Sequence, residues 1–203
     1  RELAEALPEL LPDADSYLSR ASARAGLHRF AAASADLDQA EKLGAPPARV
    51  RASRVSILEA RGHLEEALSL QREAHSTRRD ISAAVVLGTL LGELDQREEA
   101  LATFRGALDK YEDTSPFPIA WLFFQQGSFW ERDGRRDVAT AYYRAALVRV
   151  PSDAHAAAHL ARLSPATEAL AILEPLLATS DDPELEGVAA DKLRESGDAA
   201  RAE

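Results

Sequence analysis

The 203-residue chain contains no cysteine and no methionine. The first absence excludes disulfides, thiolate metal sites and a cysteine nucleophile, and it leaves the redox compartment open. The second means that residue 1 is not a translation start, so the chain reads as a processed protein or as a piece of a longer one. Lysine is scarce: Lys42, Lys110 and Lys192 are the only three, and every other permanent cation is an arginine. Together with abundant alanine, that bias points to a GC-rich bacterial gene. Positive charge is in deficit throughout. The formal net charge is −10 and the pI is about 5.0. Such a surface repels phosphate backbones and anionic lipid, which argues against nucleic-acid and membrane-surface partners. No apolar run nears the roughly 18 residues of a membrane span. The longest, around Ala83–Leu91 and Ile119–Phe124, fall well short. Strand signals are missing, as are the phosphate-binding glycine loop, the dinucleotide fingerprint and the nucleophile elbow.

What the chain does contain is helical periodicity. Apolar residues recur as in Leu64, Ala67, Leu68 and Leu70, or Val138, Ala141, Tyr142 and Ala145. Breakers fall at regular intervals: Gly44-Ala45-Pro46-Pro47, Gly62, Asp95, Ser115-Pro116-Phe117-Pro118, Gly134, Pro151, Ser164-Pro165, Asp182-Pro183 and Gly197. Asp182-Pro183 and Ser164-Pro165 each read as an N-cap followed by proline at the first helical position. The pattern predicts helices of roughly 11–16 residues joined by short turns.

Regular breakers suggest a repeat. Anchored on alanine, similar helical contexts surround Ala33, Ala67, Ala100, Ala139 and Ala169, at intervals of 34, 33, 39 and 30. Seven residues after each anchor stand Ala40, Ala74, Ala107, Ala146 and Leu176. Four after it stand Leu37, Gln71, Phe104, Tyr143 and Leu173; twelve before it, Ala21, Val55, Gly88, Gly127 and Ala157. Only Gln71 is neither small nor apolar.

These residues resemble the tetratricopeptide repeat family, whose pattern has a small residue at repeat position 8, an aromatic at 11, alanine at 20, an aromatic at 24 and proline at 32. The unit 120–149 matches best, with Gly127, Trp130, Gly134, Ala139, Tyr143, Ala146 and Leu147, followed by Pro151. The unit 81–114 matches at Gly88, Ala100, Phe104, Ala107 and Leu108, with Asp95 at position 15. Units 14–47, 48–80 and 150–181 are weaker, 183–203 is partial, and 1–11 reads as a piece of a preceding helix. The long interval implies an insertion around Asp113–Pro118, and the short one a trimmed turn after Pro151. The resemblance implies an all-α fold: one right-handed solenoid of about five helical hairpins over 1–203. Physics supports the same picture. Small residues at positions 8 and 20 let two helices cross closely, and each buried aromatic beside the crossing contributes about 1.5–3 kcal/mol. A lone hairpin cannot bury its apolar face, so the units must stack.

In this family the first helix of each unit lines a concave groove. By register, that implies partner contacts at Ser22, Arg49, Ser56, Glu59, Ser82, Thr89, Trp121, Phe124, Ser128, Glu131 and Arg132. Ser22, Ser56, Thr89 and Ser128 share position 9 as a row of small hydroxyls, which either bond a partner backbone or are ordinary solvated positions. Trp121 and Phe124 lie outside the hairpin core and form either an aromatic shelf for a partner or a surface lidded by the 115–118 segment. The basic clamp by which co-chaperone members hold peptide carboxylates is absent, since Arg49 is the only permanent cation at its positions.

Other constellations reduce to structure. His155 and His159 lie i, i+4 on one helix, as in two-histidine metal sites, but no glutamate accompanies them in an H-E-x-x-H pattern. Packing or solvated surface explains them, and no metal or cofactor is expected. Glu65-Glu66 and Glu98-Glu99 open second helices, where acidic residues complement the helix dipole. The Arg78-Arg79 and Arg135-Arg136 doublets, set in acidic surface, read as serving solubility or local salt links rather than phosphate binding. Nothing converges on a catalytic group. The expectation is a non-enzymatic scaffold that binds a protein or peptide segment in its groove. The alternatives are an accessory repeat region of a larger enzyme or a secretion or assembly complex, and self-association through a solenoid end. Compartment and partner identity are left open.

Overall fold

A computed structural model describes residues 12–77, 81–109, 111 and 115–197. The expected helix before residue 12, the Arg78-Arg79 doublet, residues 113–114 at the start of the expected insertion and the part of the last unit beyond 197 lie outside the described residues. Within them the chain is all helical. Eleven helices follow one another, with no strand among the described residues: α1 Ala14–Gly26, α2 Phe30–Lys42, α3 Pro47–Ala60, α4 Leu64–Thr77, α5 Ile81–Glu93, α6 Arg97–Asp109, α7 Pro116–Arg132, α8 Arg136–Arg149, α9 Ala154–Leu163, α10 Ala166–Leu177 and α11 Pro183–Glu195. They fall into two compact units, residues 1–100 and 101–203. No described helix is long and apolar enough to cross a membrane.

In the first unit α1 to α4 form two hairpins, α5 packs on α4, and the first helices α1 and α3 touch directly. Leu18 and Ala21 of α1 meet Ala33, Leu37 and Ala40 of α2 and Val50 and Ile57 of α3 in a shared core. Asp36 is buried beside that core. Arg20 Nη2 donates to its Oδ1 at 2.7 Å and Arg24 Nη1 to its Oδ2 at 2.8 Å, which ties α1 to α2.

In the second unit α7 pairs with α8 and α9 with α10, and α11 packs on both α9 and α10. Ala157, Ala158 and Ala161 of α9 are fully buried against Ala169 and Leu173 of α10 and Leu185 and Val188 of α11. Lys192 of α11 is buried, and its Nζ donates to the Ser164 carbonyl oxygen at 3.0 Å, closing the end of α9.

The repeat register is visible in both burial and backbone. The anchors Ala33, Ala67, Ala100, Ala139 and Ala169 all have zero exposure. The turn residue at position 15 adopts a left-handed backbone in four hairpins, at His28 (φ 56°), Gly62 (φ 75°), Asp95 (φ 58°) and Gly134 (φ 76°). Glycine takes that conformation without steric cost, so His28 and Asp95 hold it against a small penalty. Gln71 proves no exception to burial: it is 6% exposed, and its Nε2 donates to the Ala83 carbonyl of α5 at 2.8 Å.

The structure departs from the sequence reading at two turns. Pro116, Phe117 and Pro118 are not a loop inserted before a unit starting at 120; they form the first turn of α7, with Pro116 in the opening positions where its missing N–H costs nothing. Asp182-Pro183 caps α11 as expected, with Asp182 Oδ1 accepting from Glu184 N at 2.9 Å. Ser164-Pro165 does not repeat that device. Ser164 ends α9, Pro165 occupies the N-cap of α10, and no side chain caps that helix, because proline brings no hydrogen-bonding side chain to that position.

Candidate functional site

The second unit presents a face built from its first helices. On α7, Trp121, Phe124, Ser128 and Glu131 recur at alternating steps of three and four, the spacing that keeps side chains on one stripe. Trp121 is 43% exposed, and its ring stacks on Phe124 with centroids 5.5 Å apart and planes 28° apart. Phe124 is half-buried and is the hub of an aromatic cluster. Its ring lies 5.9 Å from Tyr143 of α8, 6.0 Å from His155 and 5.4 Å from His159, both of α9.

Tyr143 is the floor of this cluster, with zero exposure. Its ring lies on Gly127. A Cβ built at 127 would stand 2.5 Å from Tyr143 Cε1 and 2.7 Å from Cδ1, so only glycine admits the ring. The phenol then reaches the face and donates to Glu131 Oε2 at 2.5 Å. His159 Nδ1 contacts the same oxygen at 2.7 Å. With Nδ1 protonated, this bond fixes the tautomer of His159 and links α9 to α7. Burial first, and then the bond to the Glu131 carboxylate, holds the Tyr143 phenol well above the ordinary tyrosine range. The phenol is thus a permanent donor with no acid–base role near neutral pH. Further along, His155 Nδ1 contacts Glu184 Oε2 at 3.2 Å and Arg162 Nη2 donates to Glu184 Oε1 at 2.8 Å, joining α9 to α11. Burial works against the charge on Glu184, but the bonds from Arg162 and His155 outweigh it and lower the carboxyl below its usual range.

The first unit presents a plainer face. Arg49 of α3 pairs with Asp15 of α1. Ser22, Ser56 and Ser82 are exposed. Thr89 is partly buried and its hydroxyl donates back to the Val85 carbonyl at 3.0 Å. Glu59 of α3 is partly buried, and burial, reinforced by the charge of Glu93 on α5, raises its carboxyl to about 7.

The expected contact residues therefore separate into different kinds. Trp121, Phe124, Ser128 and Glu131 come together, with Arg132 exposed just beyond them. Ser22, Arg49, Ser56, Glu59, Ser82 and Thr89 lie in the other unit and form no comparable cluster. The position-9 hydroxyls are not a uniform row of free donors: Thr89 bonds its own helix, and Ser128 lies 3.4 Å from the Tyr143 hydroxyl. Residues 116–118 form the first turn of α7 itself, and Phe117 and Trp121 are both left exposed, at 67% and 43%. His155 and His159 are drawn to different carboxylates, and no set of three His, Asp or Glu side chains suited to a metal exists among the described residues. Sequence reasoning missed Tyr143 as a polar member, placing it only as hairpin filling. The available signal was a tyrosine, rather than phenylalanine, at an otherwise buried position: a buried hydroxyl needs a partner.

No protein-family profile and no curated protein sequence matches this chain. Solved structures do. The chain is similar to PilF of Pseudomonas aeruginosa, with 16% identity, a TM-score of 0.65 and coverage of 93% of this chain and 88% of that one. It is similar to PilW, a type IV pilus biogenesis factor, at 18% identity and a TM-score of 0.67 over 93% and 88%. It is also similar to a tetratricopeptide repeat protein from Parabacteroides merdae, at 20% identity and a TM-score of 0.55 over 93% and 75%. At these identities the likeness establishes the fold: the chain has the tandem helical hairpins of tetratricopeptide repeat proteins.

Proposed function

We propose that the protein is an interaction scaffold that holds a segment of a partner protein against the first-helix face of its second unit. One observation carries the reading: a tryptophan nearly half exposed, stacked on a second aromatic, on the stripe that tandem hairpins of this kind offer to partners. Exposed aromatic pairs of this size anchor interfaces, because each ring brings a large apolar area at little cost in side-chain entropy. The shelf is also preorganised. Phe124 rests on the Tyr143 and His159 rings, which Glu131 ties together, so a partner meets a surface already held in place.

The test is site-directed photocrosslinking in the cells that make the protein. A benzophenone side chain at position 121 should trap a defined partner. The same group at position 148, on the exposed second helix α8, should not. Equal trapping at both positions, or none at 121, overturns the reading. A second reading is favoured by the likeness to PilW: the chain serves as an accessory part of a bacterial surface-assembly complex. Identifying the trapped partner decides it, since a partner with no place in any such assembly would sink that version.

A further inference from the structure

We propose that the ridge Phe117–Trp121–Phe124 on α7, continued by Ser128 and Glu131, docks an amphipathic partner segment that pairs bulky apolar side chains with arginine. This rests on the scaffold reading and names the chemistry of the partner. Four observations lead to it.

The first is geometric. Residues 117, 121, 124, 128 and 131 step by four and three along one helix and share one face, a strip about 21 Å long at 1.5 Å per residue. Phe117 extends the strip by a full turn beyond the shelf, because Pro116–Pro118 are part of α7. The second is exposure. Phe117 and Trp121, at 67% and 43%, are the two large aromatics left most open among the described residues, and they lie one turn apart. Neighbouring exposed aromatics mark contact surfaces in a way that scattered single ones do not. The third is polarity along the strip. Its beginning is apolar, while its far end carries the Glu131 carboxylate. Tyr143 and His159 both bond Oε2 of that carboxylate, and Oε1 takes no hydrogen bond from a described residue. A partner fitted to the strip is therefore apolar at one end and cationic at the other.

The fourth observation selects arginine. Elsewhere the chain covers its own rings with guanidinium groups: Arg20 lies 5.2 Å from the Tyr17 centroid and Arg135 lies 5.7 Å from that of Trp130. No described arginine or lysine lies over Trp121 or Phe124. A guanidinium can stack on these rings or meet Glu131 in a planar pair, which an ammonium does less well. The net charge of −10 adds a long-range field that draws a basic segment and repels an acidic one.

Four amidated twelve-residue helical peptides test this. The parent carries leucines at its third and seventh positions and arginines at its tenth and eleventh. Its relatives carry lysine or glutamate for arginine, or serine for leucine. The full chain is used with Trp130→Phe, so that fluorescence reports Trp121 alone; calorimetry on the unaltered chain reads the same series if that substitution disturbs folding. The parent should bind with a micromolar Kd and shift the Trp121 emission. Lysine should weaken binding several-fold, and glutamate or serine at least tenfold. Phe117→Ala and Trp121→Ala should each weaken the parent at least tenfold with helicity unchanged, and Glu131→Gln several-fold. If the glutamate peptide binds as tightly as the parent, or if Phe117→Ala and Trp121→Ala leave the parent's affinity intact, the proposal is wrong. It is equally wrong if no peptide of the series binds at millimolar concentration. A crosslinked partner whose trapped segment is acidic would refute this inference while leaving the scaffold reading standing.

Discussion

Replacing Gly127 by alanine sets two magnitudes against each other. In an exposed helix interior the change would stabilise by about 1 kcal/mol, since alanine is the better helix former. At 127 the new methyl carbon would lie 2.5, 2.7 and 3.0 Å from Cε1, Cδ1 and Cζ of Tyr143. Carbon atoms prefer roughly 3.5–4.0 Å, so the ring or the helix must shift by about 1 Å. The ring has little room to comply: it is fully buried, flanked by Phe124 and held at its hydroxyl by Glu131 and His159. Overpacking of this severity costs about 3 kcal/mol. The net expectation is a loss of about 2 kcal/mol, or about 4–8 °C in Tm for a chain of this size. Thermal and urea unfolding followed by circular dichroism measure it. Combining Gly127→Ala with Tyr143→Leu removes the opposing ring atoms, so the double mutant should be more stable than the sum of the two single losses predicts. A Gly127→Ala protein as stable as the parent, or strict additivity in the double mutant, would refute the account of the crossing.

Asp36→Ala should destabilise by about 3 kcal/mol in denaturant unfolding, because it leaves Arg20 and Arg24 without their shared, buried carboxylate; a change within experimental error would show that the cluster is ornamental. Glu59 gives a pH signature. Its carboxyl titrates near 7 when folded against 4.5 in the unfolded chain, so the folded state binds the extra proton between those values and stability falls as pH rises through the window. Solvent screening of this partly exposed group reduces the effect to about 1 kcal/mol. Glu59→Gln should therefore raise Tm at pH 8 by a few degrees and leave it nearly unchanged at pH 4; the opposite pattern contradicts the assignment. Trp121→Ala should cost about 1 kcal/mol, the scale of its lost stacking on Phe124, and a loss of several kcal/mol would reveal a core role instead.

The hairpin register was legible because close helix crossings demand small residues at fixed intervals. Ala33, Ala67, Ala100, Ala139 and Ala169 announce those crossings, and all five are fully buried. Trp121 and Phe124 stood out because they are large and fall outside the crossing pattern. The polar network below them did not. Tyr143 and Glu131 belong to one hairpin, but His159 arrives from the next, across the shortened interval where a 34-residue register mislocates side chains by several positions. The first turn of α7 is hidden in the sequence for a related reason. Proline signals a break in sequence, yet in the opening turn of a helix it is at home. Gln71 looked like a lapse in the pattern because its role, bonding the Ala83 carbonyl of the next helix, depends on stacking that a single hairpin does not show.

The central claim is that the face of α7 and α9 receives the partner. Hydrogen–deuterium exchange of the protein with and without its crosslink-identified partner tests it most directly. The account predicts that protection rises over residues 116–132 and 154–163 and stays level over the second helices α8 and α10. Protection concentrated on α8 and α10, with α7 unchanged, would contradict it.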